Sequence, residues 1–321
     1  MQHQLIAEKV CPEDIPPGLL KDAGKEKFSL YPFLYDGHAF HQHRWQNMDR
    51  KEILFWGVRQ KDTILAVIEF HSSDYDSNLL ALKAGTIQNV FTDPQMDDQK
   101  REEVLQELIR SFQLYRQAEK IGFCFVAVNN WDAALSLSFQ RNRFNYILTW
   151  GKCFTQQPAS LPLPEGYIVR KSESKEDIPF ILGMSDSYFK GGRFYLDERI
   201  GASKADQVYK DLINNSSAKG TDLAVLYNKE EVPLACFICP LIQYQFEQLL
   251  SCYSLRLLVV DNKKAPKGIA SAFMAATAEL LLKDVPLVES GIEMHNLPSL
   301  KIHINAGFRM NYVFSAYHSW I

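Results

Sequence analysis

Long apolar runs, a large excess of charge of either sign and a dense set of cysteines are all missing from this sequence of 321 residues. Each gap removes a class of protein. The longest uncharged run, Val232 to Phe246, is interrupted by Pro240, Gln243 and Gln245 and falls short of the roughly 18 apolar residues that a membrane helix needs. The first twenty residues lack the basic start and continuous apolar core of an export signal, so a cytoplasmic protein with no membrane partner is expected. Thirty-five Lys and Arg against 38 Asp and Glu leave a formal net charge of -3, with no general pull toward nucleic acid.

Six cysteines are too few for a disulfide scaffold in a chain of this length, and reduced thiols are expected. Cys236-Phe-Ile-Cys239 has the spacing of a zinc or redox pair, yet it lies inside the strand-like VPLACFICPL with no second pair to complete a site. The alternative is two core cysteines of a strand. His38, His41 and His43, with Asp36 close by, match no common metal spacing and are read as a loop. No metal is expected anywhere.

What is present is ordinary globular composition, 46% apolar and 23% charged, in a chain of about two domain lengths. Three prolines between Pro158 and Pro164 forbid a regular helix and mark an extended connector. Residues 1–157 are therefore read as a first domain, 158–165 as a linker and 166–321 as a second domain. The order of elements is the same on both sides. In the second half, strands at Thr221 to Tyr227, Val232 to Cys239 and Ser254 to Val260 precede a helix from Ile269 to Leu282. A strand at Leu287 to Met294, a short helix from Asn296 to Ala306 and a closing strand-like segment follow. In the first half the matching strands are Glu52 to Arg59, Thr63 to Phe70, Ala84 to Phe91, Gly122 to Val128 and Tyr146 to Phe154. Helices at Asp97 to Lys120 and Ala133 to Gln140 lie between them. The fold class is α/β, a mixed sheet built twice.

The chemistry concentrates in the turn after Val260, where Lys263, Lys264 and Lys267 precede Gly268, which opens a helix. A helix N-terminus offers unsatisfied N–H groups and a positive dipole end to a diphosphate. Gly268 permits close approach of backbone, and Ala270 keeps a nearby position small. A solvated lysine cluster on a plain strand-turn-helix would read the same way.

Ala265-Pro-Lys-Gly268-Ile-Ala270, placed five residues after Val260, resembles the acyl-CoA pyrophosphate loop of the GNAT N-acyltransferases. In that family the loop reads [Gln/Arg]-x-x-Gly-x-[Gly/Ala]; here Ala265 stands at the Gln/Arg position and Pro266 supplies no N–H. Asn296 to Phe308 resembles the family's last helix and its terminal Gly-Phe. Gly192-Arg-Phe-Tyr-Leu-Asp197, with Ala205 to Asn215, is similar to the substrate side of bacterial dTDP-fucosamine acetyltransferases. Arg193 and Asp197 also read as a plain surface pair four residues apart.

The resemblance implies two tandem GNAT folds and direct transfer of acetyl from acetyl-CoA to a primary amine, an amino sugar being the first acceptor considered. Tandem acetyltransferases resembling mycothiol synthase, or an inactive ligand-binding pair, are the other readings. Leu258, Val259, Val260, Ala265, Lys267, Gly268, Ile269, Ala270 and Asn296 would hold the cofactor, and Arg193 and Asp197 the acceptor.

His303 occupies the position of the family's proton-donating tyrosine, seven residues after Asn296 and on the same helix face. It reads equally as a buried helix histidine. Glu289 and Glu293 alternate onto one strand face and are the candidate bases. The first half has an acidic turn, Asp93 to Asp98, where the second has its lysines, and is expected to be a degenerate, non-catalytic copy. The implied partner is a small-molecule amine, with the protein a monomer or homodimer.

Overall fold

A computed structural model describes residues 4–21, 36–47, 52–172, 177–185, 191–218, 223–245 and 249–321. Thr221, Asp222 and Phe246, which belong to segments singled out above, lie outside them. The chain forms two compact units, residues 1–148 with 314–321, and residues 149–313. The crossings fall within two strands, Asn145–Thr155 and Arg309–Trp320, so each unit is completed by a piece of chain from the far end of the other half.

The first unit begins with β1 (Leu5–Lys9), the single-turn α1 (Pro17–Leu20), α2 (Gly37–Gln46), β2 (Ile53–Gln60), β3 (Thr63–Ser72), α3 (Asp74–Leu80) and β4 (Lys83–Thr92). The long α4 (Asp98–Ala118), β5 (Ile121–Asn129), α5 (Ala133–Arg141) and the start of β6 (Asn145–Thr155) follow. β1 to β4 pair antiparallel in sequence order, β4 and β5 are parallel, and residues 314–320 add antiparallel to β5. Val104, Leu105, Leu108, Ile109 and Phe112 of α4 are fully buried. Their spacing is the inward stripe of an amphipathic helix laid on a sheet.

Asp36 accepts from the Ala39 N–H at 3.1 Å and so starts helix α2, which corrects the loop reading of His38 to His43. His41 is buried against Phe91 and Trp45, and His43 contacts Asn47. Arg44 of the same helix reaches both oxygens of the fully buried Glu69, which also holds His71 at 2.6 Å and Asn89 at 2.7 Å. Burial alone would raise the Glu69 carboxyl, but His71, the Arg44 charge and Asn89 outweigh it and bring the pKa down to about 2. Stability from this group is present above the ordinary carboxylate pKa and is lost as pH falls toward 2. Arg44→Ala is expected to cost about 2 kcal/mol, the scale of a hydrogen-bonded charge, read as a lower urea midpoint at pH 7.

The second unit continues with β7 (Ile168–Ser172), α6 (Asp177–Ser185), the short α7 (Arg193–Leu196), α8 (Ala202–Ala218), β8 (Leu223–Tyr227), β9 (Pro233–Ile238), β10 (Leu241–Gln245) and β11 (Leu249–Leu255). It ends with β12 (Leu257–Val260), α9 (Ile269–Leu281), β13 (Val288–Glu293), α10 (Leu297–Asn305) and the start of β14 (Arg309–Trp320). The connector after Thr155 has no regular element; its Leu161 and Leu163 pack on the core of this unit. Gly307, at φ +85°, lies so close to Ala159 that a Cβ would meet its backbone N at 2.6 Å.

The single strand expected from Ser254 to Val260 is broken at Arg256. β11 pairs parallel with β13, whereas β12 pairs antiparallel with β9 in a separate four-stranded sheet ordered β12-β9-β8-β7. The Arg256 N–H donates to the Ile238 carbonyl, and that bond turns the chain from one sheet to the other. α9 lies on the smaller sheet, its fully buried Phe273 against Phe237 at 5.1 Å. Among the described residues, no helix is long and apolar enough to cross a membrane.

Candidate active site

The break at Arg256 creates the cleft of the second unit. Pairing between β11 and β13 ends at Leu255 opposite Ser290, after which β12 follows β9 instead. β12 is the edge of its sheet, and the two strands therefore leave a wedge of about 390 Å³ between them. Hydrogen bonding in an antiparallel pair serves alternate residues. Asp261 donates to the Leu234 carbonyl at 2.8 Å, so Val259 also bonds to β9, and Leu258 and Val260 turn their N–H and C=O groups to the open edge. Leu258 and Val260 line the wedge; Val259 is buried on the opposite side, in the core beneath α6 and α8.

One end of the cleft is the turn from Asp261 to Gly268. The Asp261 carboxylate accepts from the Lys263 and Lys264 N–H groups, and its carbonyl accepts from Ala265 at 2.8 Å, which fixes the loop. Ala265, Lys267, Gly268, Ile269 and Ala270 all face the cleft. Gly268 has φ +83°, and no side chain caps the helix behind it. The Ile269 N–H turns back to the Pro266 carbonyl at 3.2 Å, and with no capping side chain the first-turn N–H groups that follow it in α9 are left open toward the cleft, the arrangement that receives an anion.

The first unit differs at each corresponding place. Asp97 caps α4 by accepting from the Lys100 N–H at 2.7 Å, filling the position an anion would take. Arg101 is locked to Asp132 by two bonds of 3.0 and 2.6 Å, and Asp132 in turn caps α5. An ion pair thus joins the starts of the two helices that, in the second unit, flank the open cleft.

The other end of the cleft carries the titratable groups. Asn296 caps α10 through the Ser299 N–H at 3.2 Å and lines the wall. His303, two turns along the same helix, is buried. Its Nδ1 lies 2.8 Å from the Ser299 carbonyl, its Nε2 2.8 Å from Ser290 Oγ, and Phe308 meets its ring edge-on. A carbonyl only accepts, so Nδ1 carries the hydrogen and neutral Nε2 is the acceptor. Burial lowers the pKa, the Ser299 carbonyl opposing in part, which favours the free base at neutral pH.

Glu293, at the end of β13, lines the cleft, and burial raises its carboxyl above the usual range. Glu289 does not line it. It is buried, bonded to Lys152 and Ser254 at 2.7 Å each, and serves as the counter-ion of Lys152 rather than a group open to substrate. Arg193 and Asp197 also fall outside the lining: Arg193 stacks on Phe194, and buried Asp197 accepts from the Arg199 N–H. The CxxC thiols are both buried in the core, and burial pushes Cys236 well above an ordinary thiol, which keeps it inert. Among the described residues no cluster of three or more acids, histidines or cysteines is placed to hold a metal.

Arg256, Ser290 and Tyr209 are among the lining residues that the sequence alone does not single out. Arg256 projects from the strand break, Ser290 sits where the wedge opens, and Tyr209 of α8 closes one side. A Cβ on Gly192 would meet the Tyr209 hydroxyl at 2.0 Å, so the glycine ahead of Arg193 seats this tyrosine. Burial, with Glu293 and Tyr195 nearby, keeps Tyr209 protonated and hence a donor. The inward spacing of Ala205, Tyr209 and Leu212 on a helix was the signal available for it.

No protein-family model and no curated protein matches the chain. Solved structures do share its fold over nearly the whole length. A GCN5-related N-acetyltransferase from Sphaerobacter thermophilus superposes with a TM-score of 0.60 at 10% identity, covering 98% of this chain and 95% of its own. A tandem GNAT protein from the clavulanic acid biosynthesis pathway gives 0.58 at 10% identity, over 99% and 98%. A GCN5-related glucosamine N-acetyltransferase region of a fungal multi-domain GH3 beta-N-acetylglucosaminidase gives 0.61 at 12% identity, over 99% of this chain and 38% of that one. The doubled mixed sheet read from the sequence, the wedge beside Gly268 and these superpositions agree: the chain has the fold of the GCN5-related N-acetyltransferases, in its tandem form.

Proposed function

We propose that the chain is an acyl-CoA-dependent N-acetyltransferase whose second unit moves acetyl from acetyl-CoA to a primary amine by direct attack. The carrying observation is the wedge itself: an uncapped helix start and Lys267 at one end, open strand N–H groups along one wall, and Glu293 at the other end. The diphosphate would rest on the N–H groups behind Gly268, and the pantetheine arm would bond to the free edge of β12. The thioester carbonyl would then lie beside the N–H groups of Leu258 and Val260, which stabilise the charge that develops on oxygen during attack. Glu293, directly or through a water, takes the proton of the incoming ammonium. Tyr209 and Arg256 line the acceptor side, displacing Arg193 and Asp197 from that role.

The first unit acts as a non-catalytic support, because Asp97 and the Arg101–Asp132 pair fill the places a diphosphate would need. The acceptor is a small-molecule amine in a cytoplasmic reaction. A nucleotide-linked amino sugar leads, and the glucosamine N-acetyltransferase region among the structural neighbours supports testing amino sugars first. A cysteinyl amine, as in tandem acetyltransferases resembling mycothiol synthase, is the second acceptor to test. Ala265 and Pro266 favour the remaining reading, a pair that binds a ligand without transferring acetyl. Isothermal titration with acetyl-CoA is expected to show one site per chain. No heat at millimolar ligand would sink the proposal, and binding without transfer to a broad amine panel would favour the ligand-binding reading.

A further inference from the structure

The hydrogen-bond partners of His303 point to a second use of the same cleft. Ser290 is the last residue of β13 paired with β11, so it sits where the wedge opens, and it contributes to the cleft wall. Its Oγ is 2.8 Å from His303 Nε2 and 3.1 Å from the Leu255 carbonyl oxygen. One hydroxyl hydrogen serves one of these acceptors at a time, and the imidazole is both nearer and the stronger base. The far side of the ring is fixed, because Nδ1–H donates to the Ser299 carbonyl at 2.8 Å. A hydroxyl, an imidazole nitrogen that receives its proton and a third group that orients the imidazole are the parts of an activated serine nucleophile. Here a backbone carbonyl occupies the place where a carboxylate commonly stands.

Direct transfer to an amine leaves this pair unused, since Glu293 supplies the base. In direct transfer His303 has no Nε2 proton to give, because burial favours the neutral ring; it gains one only when the hydroxyl it faces is deprotonated. Leu258 and Val260, whose N–H groups turn to the open edge of β12, line the same cleft as Ser290, and those groups would serve an oxyanion formed there.

We propose that Ser290 is an acyl acceptor, and that without an amine the chain hydrolyses acyl-CoA through an ester on Ser290. The proposal rests on acyl-CoA occupying the wedge, as above. Ser290 Oγ bonds to the thioester carbonyl carbon while its proton passes to His303 Nε2. The C–S bond breaks, its electron pair leaves on sulfur, and the sulfur takes that proton from Nε2 to depart as free CoA thiol. Water then attacks the ester carbon, giving a proton to Nε2. The C–O bond to Ser290 breaks, and Oγ recovers the proton as the carboxylic acid departs.

The test uses the full chain with acetyl-CoA and no amine. Thiol release is followed with a thiol reagent, and acid-quenched protein is examined by intact mass and peptide mapping. Thiol release above the enzyme-free rate and an acetyl group on the peptide holding Ser290 are expected. Ser290→Ala should lose the adduct and slow amine-independent release about 100-fold, the scale of a lost proton-transfer partner, and His303→Ala should slow it comparably. Ser290→Cys should restore an adduct, now a thioester that hydroxylamine removes, which a merely structural role for Ser290 would not produce. Calorimetry with acetyl-CoA separates the failures: wild type that does not bind overturns the acyltransferase reading and this one with it. Wild type that binds but neither releases thiol nor carries acetyl overturns the Ser290 proposal alone. So does release unchanged in Ser290→Ala, or an adduct on any other residue.

Discussion

Glu293→Gln is expected to lower kcat for amine acetylation by about 1,000-fold, within the range for removing a positioned general base, while acetyl-CoA binds as before. Glutamine keeps the shape and hydrogen-bonding reach of glutamate but accepts no proton. Burial is the largest influence on the Glu293 carboxyl and raises its pKa; its own backbone N–H, the charge of His295 and a bond to Trp150 pull the other way without cancelling it. Only the ionised form is a base, so the wild-type rate should rise with pH through that raised pKa and then level. Paired pH–rate profiles check the assignment. A variant that kept the acid limb at near-normal rate would place the base elsewhere.

The same substitution should act oppositely on stability. The folded-state pKa of Glu293 exceeds its value in the unfolded chain, so folding tightens the proton on this group. The stabilisation is fully present below the ordinary value of 4.5 and is lost as pH rises through the folded-state pKa. Above that window the wild type holds a poorly solvated carboxylate, and the neutral amide does not. Glu293→Gln is therefore expected to have the higher Tm at pH 8 and no advantage near pH 4. Scanning calorimetry at the two values reads the difference. A buried acid that costs stability while serving as base is the usual compromise of an active site.

Elements whose signal is local are legible in the sequence, and features that depend on distant partners are not. β2 to β5 with α4 and α5 fell close to their expected places because each carries its own period and its own turn. Gly268, Lys267, Asn296 and His303 were also legible, since strand, turn and helix follow one another directly. The break at Arg256 was not, because Ser254 to Val260 reads as uniform strand; only pairing with Ile238 on one side and Ser290 on the other splits it. Alternation put Glu289 beside Glu293, but Lys152, 137 residues away in sequence, takes the former out of the cleft. Tyr209 arrives from a helix far upstream of Glu293, beside which it lies, seated by a glycine whose role is invisible until the hydroxyl is seen against it. Asp36 does carry a local signal, a capping residue three before Ala39, which the three histidines after it obscure.

Gly268→Glu is expected to weaken CoA binding by about 1,000-fold, roughly the 4 kcal/mol of two lost charge-assisted hydrogen bonds, whereas Gly268→Ala should cost less than about tenfold. Space does not decide the matter, because a Cβ at Gly268 would meet nothing within 4 Å. The alanine bears only the strain of φ +83°, on the order of 1 kcal/mol, as lost stability. The glutamate bears the same strain but sets a carboxylate at an uncapped helix start, where the dipole favours it by about 0.3–1 kcal/mol. It would therefore be at least as stable as the alanine variant and yet bind CoA far more weakly, its own side chain holding the N–H groups a diphosphate needs. Titration with CoA and a melting curve on both variants separate the two effects, and glutamate binding like wild type would mean that the diphosphate does not lie on α9. The chain already contains a natural counterpart of the loss, since in the first unit Asp97 caps α4 with its own carboxylate. If the proposed function holds, filling one helix start and leaving the other open would be enough to make one copy of the fold a support and the other an enzyme.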